Sequence, residues 1–183
     1  MSGRQAVVDY LCGAESLRRR ELVWGMVREP AAPFWSHQEI VTRATVLLYE
    51  HVERRGLGKV SASPIDVVLD EARGLIVQPD VVFLSNERLR LVHKQVWGAP
   101  DLVVEVESPG TRQRDRVWKR RWYRQYGVRE YWLIDTIACT LTVFGFGENG
   151  RATRRTFRGR APVRSVVLPA FEVPVSTFFS ASR

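Results

Sequence analysis

Apolar residues along this chain fall into short runs broken by glycine, proline and charge, and the spacing within each run predicts its element. Ile40, Ala44, Leu47, Leu48 and Val52 recur at the interval of an amphipathic helix. Ser36 and Glu39 precede them in the S-x-x-E order of a capping box, and Gly56 and Gly58 end the run, so a helix is expected over SHQEIVTRATVLLYEHVERRGLG. Residues 1–20 read as a short helix and a basic turn, and ELVWGMV (21–27) as a strand. PIDVVLD (64–70) and LIVQPDVVFL (75–84) flank a short polar turn and read as a hairpin. The run 101–107 is another strand, broken by SPGT, and TRQRDRVWKRRWYRQYG (111–127) is a second helix stopped at Gly127. REYWLIDT and CTLTVFGF are strands joined near Asp135 to Ala138. ENGR turns into a polar strand over 151–158, and SVVLPAFEVPVSTFF is a strand with a closing turn. The order β-α-β-β-β-α-β-β-β predicts the α+β class, one domain over 1–183 with helices flanking a mixed sheet.

Two of these strands carry charges where burial is costly. GAPDLVVEVESPGT has the pattern of a core strand, yet Asp101 opens it, Glu105 interrupts its valines and Glu107 follows two positions later. Asp80 stands likewise between Pro79 and an apolar run. An unpaired buried carboxylate costs several kcal/mol, so it neutralises, pairs or binds a cation. If the two strands are neighbours, Asp80 and Glu105 meet, and two close carboxylates stay ionised only with help. A divalent ion that favours hard oxygen ligands, Mg²⁺ or Mn²⁺, would give it. On that view Asp80→Asn and Glu105→Gln relieve repulsion and fold at least as well as the wild type without metal. Alternation puts Glu105 and Glu107 on one face, so Glu107 is either a further ligand or an exposed strand end. In the second helix Asp115, Lys119 and Tyr123 are spaced by four and share a face. Lys119 therefore either makes a surface pair with Asp115 or points at the acids. Trp118 and Trp122, also four apart, read as packing residues, and Tyr131 and Trp132 point to opposite faces.

Composition narrows the classes. With 45% hydrophobic and 26% charged residues the chain reads as globular rather than disordered. No apolar run reaches the roughly 20 residues of a membrane span, and the N-terminal stretch has no secretory core, so a cytoplasmic location is expected. Cys12 and Cys139 are the only cysteines, which excludes a disulfide scaffold and a thiolate zinc site and leaves them as core filler. The net charge of +8 favours an anionic partner, nucleic acid first. Lys59, Lys94 and Lys119 are the only lysines among 28 basic residues, so a retained lysine stands out.

Asp80 after Pro79, then Glu105 in an apolar strand, resembles the PD-(D/E)XK nuclease superfamily. Within it the chain is similar to the Uma-two family of restriction-endonuclease-like proteins. The likeness runs from ELVWGMV through SHQEI, PIDVVL and VQPDVVFL, and is densest in PDLVVEVESPGTRQRDRVWKRRWYRQYGVREYWLIDT. It implies a restriction-endonuclease-like mixed β-sheet core flanked by α-helices. It also implies Asp80 and Glu105 as catalytic ligands of Mg²⁺ or Mn²⁺, and endonucleolytic hydrolysis of phosphodiester bonds in double-stranded DNA. The superfamily's lysine lies two residues after the second acid, where this chain has Glu107. The resemblance moves that role to Lys119, which, unlike arginine, can be tuned by its surroundings. His37 and Asp66 match family positions, and with Glu107 and Tyr123 they are the supporting residues. Arg112 and Arg116 are the candidate nucleic-acid contacts on the second helix. A duplex needs two cuts and many superfamily members dimerise, so a homodimer fits as well. The departure at Glu107 keeps an alternative open: a catalytically weak nucleic-acid-binding protein, or a dimeric interaction protein, on a nuclease fold.

Overall fold

Helix α1 (Gly3–Cys12) opens the chain, capped where Ser2 Oγ accepts a hydrogen bond from Gln5 N at 3.3 Å. The computed structural model describes residues 2–13, 19–108, 114–147 and 150–179, and of residues 114 and 115 the backbone alone. ELVWGMV forms two strands rather than one: β1 (Glu21–Val23) and β2 (Met26–Arg28) pair antiparallel about a turn at Trp24 and Gly25. The long amphipathic run is α2 (Trp35–Arg55). It begins one residue before Ser36, with Phe34 at the N-cap and no side-chain cap, so Ser36 and Glu39 do not form the expected capping box. Gly56 ends it at a left-handed φ of 59°, a conformation that costs glycine little.

β3 (Gly58–Ala62) follows, a strand the apolar pattern did not reveal. The hairpin expected over 64–84 forms only in its first half. β4 (Val67–Asp70) and β5 (Leu75–Val77) pair antiparallel. Pro79 lacks the N–H that would continue the ladder, and after it the chain enters a different sheet as β6 (Val81–Ser85). Then come β7 (Val96–Trp97) and β8 (Leu102–Val106). A π-helical stretch, Arg114–Lys119, runs into α3 (Arg120–Tyr126), which stops at Gly127 with φ 90°. The strands expected next are β9 (Glu130–Asp135), β10 (Thr140–Phe146) and β11 (Ala152–Arg158). In the tail only the short pair β12 (Pro162–Val163) and β13 (Val173–Pro174) forms, before a 3₁₀ turn at Val175–Phe178.

The strands build a five-stranded sheet, β2-β1-β5-β4-β7, and a six-stranded sheet, β11-β10-β9-β8-β6-β3, in which β8 and β9 are parallel. Ile40, Ala44, Leu48 and Val52 of α2 pack on Val81, Leu102 and Val104 on one face of the larger sheet. Its other face, through Val82, Val103 and Tyr131, meets Val67, Leu75 and Val77 of the smaller sheet and Trp122 and Tyr123 of α3. Ala6, Val7 and Tyr10 of α1 pack on Leu22, Val68 and Ile76. This mixed α+β arrangement puts the crossing between the sheets, Gln78 to Asp80, beside the end of β8.

Cys12 and Cys139 are both exposed, not core residues: one ends α1 and the other sits in the β9–β10 turn. Among the described residues no helix is long and apolar enough to cross a membrane.

Candidate active site

Register brings the two strand acids together. Val81 pairs with Val104, so Asp80, just before β6, lies beside Glu105 on β8. Asp80 is almost wholly buried and bonded on both oxygens. Its Oδ2 accepts from Val106 N at 2.7 Å and lies 3.6 Å from His37 Nε2. Its Oδ1 accepts from an Arg19 terminal nitrogen at 2.6 Å. Burial acts to raise the Asp80 carboxyl, but the Arg19 charge, His37 and the Val106 N–H outweigh it and hold it down to about 2. His37, in the first turn of α2, is buried, and its Nε2 donates to the Val106 carbonyl at 2.9 Å. Burial lowers the imidazole, and the neighbouring Asp80 carboxylate more than reverses this, so the net shift is upward.

Alternation along β8 sends Val104 and Val106 toward α2 and Glu105 toward α3. Two side chains spaced by four on the second helix reach the same oxygen. Lys119 Nζ lies 2.7 Å from Glu105 Oε1, and Tyr123 Oη donates to that atom at 2.6 Å. Lys119 is fully buried, and its ammonium also lies 2.9 Å from Glu21 Oε1. Burial and the Glu105 charge push the Tyr123 hydroxyl well above its ordinary range, which keeps it a donor. The side chain of Asp115 lies outside the described residues.

Arg19 completes the centre. Its guanidinium spans Asp80 Oδ1 at 2.6 Å and Glu105 Oε2 at 3.3 Å, and also donates to the Gln78 carbonyl. Burial acts against its charge, but Asp80 and Glu105 reverse that and raise its pKa. Arg19 Nε is buried without a hydrogen-bond partner among the described residues. Three carboxylates, Glu21, Asp80 and Glu105, are thus set against Arg19, Lys119 and the upward-shifted His37. Arg19 and Asp80 line a cavity of about 730 Å³ that reaches Glu29, Pro30, Ser63 and Pro64, so Asp80 meets it beside Arg19 while Glu105 stays behind them.

Neither Arg19 nor Glu21 was marked by the sequence. Glu21 carried the same signal as Asp80 and Glu105, a carboxylate heading an apolar run. Arg19 is the middle of three arginines, and nothing in the pattern separates it from Arg18 or Arg20.

The other candidates fall elsewhere. Asp66, before β4, accepts from Tyr10 Oη at 3.1 Å and Gln78 Nε2 at 2.9 Å; Gln78 in turn accepts from Arg20 N at 3.0 Å. Asp66 therefore braces the segment that carries Arg19 rather than meeting the acid pair. Glu107 is buried and forked by Arg116, which also reaches Asp135 Oδ2 at 2.6 Å. That separate ion network at the ends of β8 and β9 occupies Arg116, the candidate nucleic-acid contact. Arg112 lies outside the described residues. Asp101, the acid that opens β8, accepts from Ser85 N at 2.7 Å and pairs with Arg88 and Arg129. Trp122 is buried edge-on against Trp24, whereas Trp118 is exposed under Arg28. Tyr131 and Trp132 fall into the two different cores.

Asp80 Oδ1 and Glu105 Oε2 are hard donors converging on one cationic group, a set that suits Mg²⁺ or Mn²⁺. Among the described residues no group of three or more His, Cys, Asp or Glu side chains forms a fuller metal cluster.

The family model described as "Uma2: Putative restriction endonuclease" matches residues 7–176. A crystal structure of a "putative nuclease belonging to DUF820" from Anabaena variabilis ATCC 29413 superposes with a TM-score of 0.79 at 16% sequence identity, covering 94% of this chain and 96% of that one. At that identity the likeness is one of fold. No curated protein matches the chain.

Proposed function

Since the chain belongs to the Uma2 family, described as putative restriction endonucleases, we propose that it hydrolyses phosphodiester bonds in DNA at Asp80 and Glu105, with Mg²⁺ or Mn²⁺ as cofactor. One observation carries this reading: the four carboxylate oxygens are divided between holding and facing. Glu105 Oε1 is held by Lys119 and Tyr123, and Asp80 Oδ2 by Val106 N and His37. The other two oxygens are both turned to the Arg19 guanidinium.

Asp80 and Glu105 would hold the ion through those two oxygens, with water and a substrate phosphate as further ligands. When bound, the ion supplies Lewis-acid polarisation of a phosphoryl oxygen and a water of lowered pKa. The residues around it position and neutralise. Arg19 has to leave Asp80 and Glu105 before they take a divalent ion, and its fork is then free for a phosphate oxygen at the cavity mouth. Lys119 is a positioning residue: its buried side chain fixes Glu105 against Glu21. Tyr123 locks the same oxygen. His37 and Val106 N set the plane of the Asp80 carboxylate.

The test is cleavage of supercoiled plasmid and linear duplex DNA with Mg²⁺ or Mn²⁺ by the wild type and Asp80→Asn, both checked for fold by circular dichroism. Cleavage by the wild type, abolished by chelation and lowered at least about 100-fold in Asp80→Asn, is expected. Equal cleavage by both proteins, or none by the folded wild type on either DNA, would refute the proposal.

A further inference from the structure

Three cationic side chains on α2 and just beyond it are neutralised locally. Arg43 pairs with Glu39 at 3.1 Å, Arg54 with Glu50 at 2.6 Å and Lys59 with Glu53 at 2.9 Å. The edge strand β11 differs. Residues 150–164 contain six arginines and no aspartate or glutamate. Six of the seven β11 residues are exposed. Arg154, Arg155, Arg158 and Arg160 have no carboxylate partner among the described residues.

Register ties part of that strand to the acid pair. Glu105 pairs with Leu133, Leu133 with Thr142 and Thr142 with Thr156, one row running across β8, β9, β10 and β11. Arg154 and Arg158 lie two positions either side of Thr156, so they stand on the sheet face that carries Glu105. Three strand steps of about 4.8 Å put Thr156 about 14 Å from Glu105, and two residues along the strand at about 3.3 Å each put Arg154 and Arg158 about 16 Å from it, about five base-pair steps of a duplex. Helix α3 sits on the same face. It sends Tyr123 inward to Glu105, and its Arg120 meets β11 over one ring: the guanidinium carbons of Arg120 and Arg154 lie 5.3 and 5.9 Å from the centroid of Phe144. One turn on, Arg124 donates to the Gly150 carbonyl at 2.8 Å, tying the helix to the start of β11.

We propose that Arg120, Arg124, Arg154 and Arg158 form a shelf for the phosphate backbone of the DNA duplex that is cut at Asp80 and Glu105; this rests on the function proposed above. The shelf has one sign, lies on the sheet face that carries Glu105 and is about five base pairs from that acid. Stacking on Phe144 fixes two of its guanidinium groups. It reads charge, not sequence, because phosphate contacts set position and orientation.

The test is fluorescence anisotropy of a labelled duplex of arbitrary sequence, in chelator so that nothing is cut, across a salt series. Three proteins are compared with the wild type: Arg154→Ala/Arg158→Ala, the conservative Arg154→Lys/Arg158→Lys, and Arg43→Ala/Arg54→Ala on α2. Each phosphate contact contributes about 0.9 to the slope of log affinity against log salt, so the alanine pair on β11 should flatten the slope by about 2. The lysine pair and the α2 pair should keep the wild-type slope. An unchanged slope in the β11 alanine pair, or an equal loss in the α2 pair, overturns the shelf and leaves the catalytic proposal standing. A wild type that binds no duplex overturns both.

Discussion

Lys119→Met is expected to destabilise the protein by about 3–5 kcal/mol, the usual cost of removing one partner from a buried ion pair. The ammonium is fully buried between Glu105 Oε1 and Glu21 Oε1, at 2.7 and 2.9 Å. Without it two buried carboxylates share a space with Tyr123 and no lysine, and one of them must take up a proton or draw in water. Adding Glu105→Gln to Lys119→Met removes one of the stranded charges and should recover much of the loss, a coupling a double-mutant cycle measures directly. Urea unfolding at neutral pH gives the four stabilities. Costs below about 1 kcal/mol, or fully additive ones, would show that Lys119 does not hold the acids as the geometry indicates.

Asp80→Asn is expected to cost about 2–3 kcal/mol near neutral pH, from the difference between an ordinary aspartate and one held at about 2. A depressed folded-state pKa gives stability that is present above the unfolded value and lost as pH falls through the folded one. The gap between wild type and variant should therefore be full above about pH 5 and close as pH falls from about 4 toward about 2. The sequence alone suggested the opposite, that Asn at position 80 relieves repulsion. Arg19 reverses it, because its guanidinium already neutralises the pair and would be left half-satisfied by an amide. His37 should report the same change in its NMR titration. With the carboxylate gone, burial is left to act, and the imidazole pKa should fall from its raised value. A stability gap that stays constant down to about pH 3, or an unmoved His37, would refute the charge balance described here.

What the sequence revealed follows from which signals are local. The long helix, the 67–77 hairpin and strands β8 to β11 each carry their own periodicity and stop residues. Asp80 and Glu105 were legible because a carboxylate in an apolar run is costly unless partnered, and Lys119 and Tyr123 because a spacing of four puts them on one helix face. The break at Pro79 was written in the chain, but its consequence was not: that β5 and β6 belong to different sheets is decided by tertiary packing. β3 was missed because its inward face is only Gly58, Val60 and Ala62, too little apolar surface to stand out between the exposed Lys59 and Ser61. Arg19 was not legible, since its role depends on a long-range approach to Asp80 and Glu105, more than sixty residues away in sequence. Asp66 and Glu107 show the converse. Both were picked out by family position or alternation, and both belong to neighbouring networks, held by Tyr10 and Gln78 and by Arg116.

The measurement that tests the central claim most directly is a calorimetric titration of Mn²⁺ into the wild type, Arg19→Ala and Asp80→Asn, in chelator-free buffer without phosphate. If Asp80 Oδ1 and Glu105 Oε2 hold the ion and Arg19 competes for them, the wild type binds and Asp80→Asn does not. Arg19→Ala then binds more tightly by about tenfold or more, since about 1.4 kcal/mol of competing ion pairing is enough for that. Equal binding by the wild type and Asp80→Asn, or no binding by Arg19→Ala at millimolar Mn²⁺, would contradict a divalent-metal centre at these two acids.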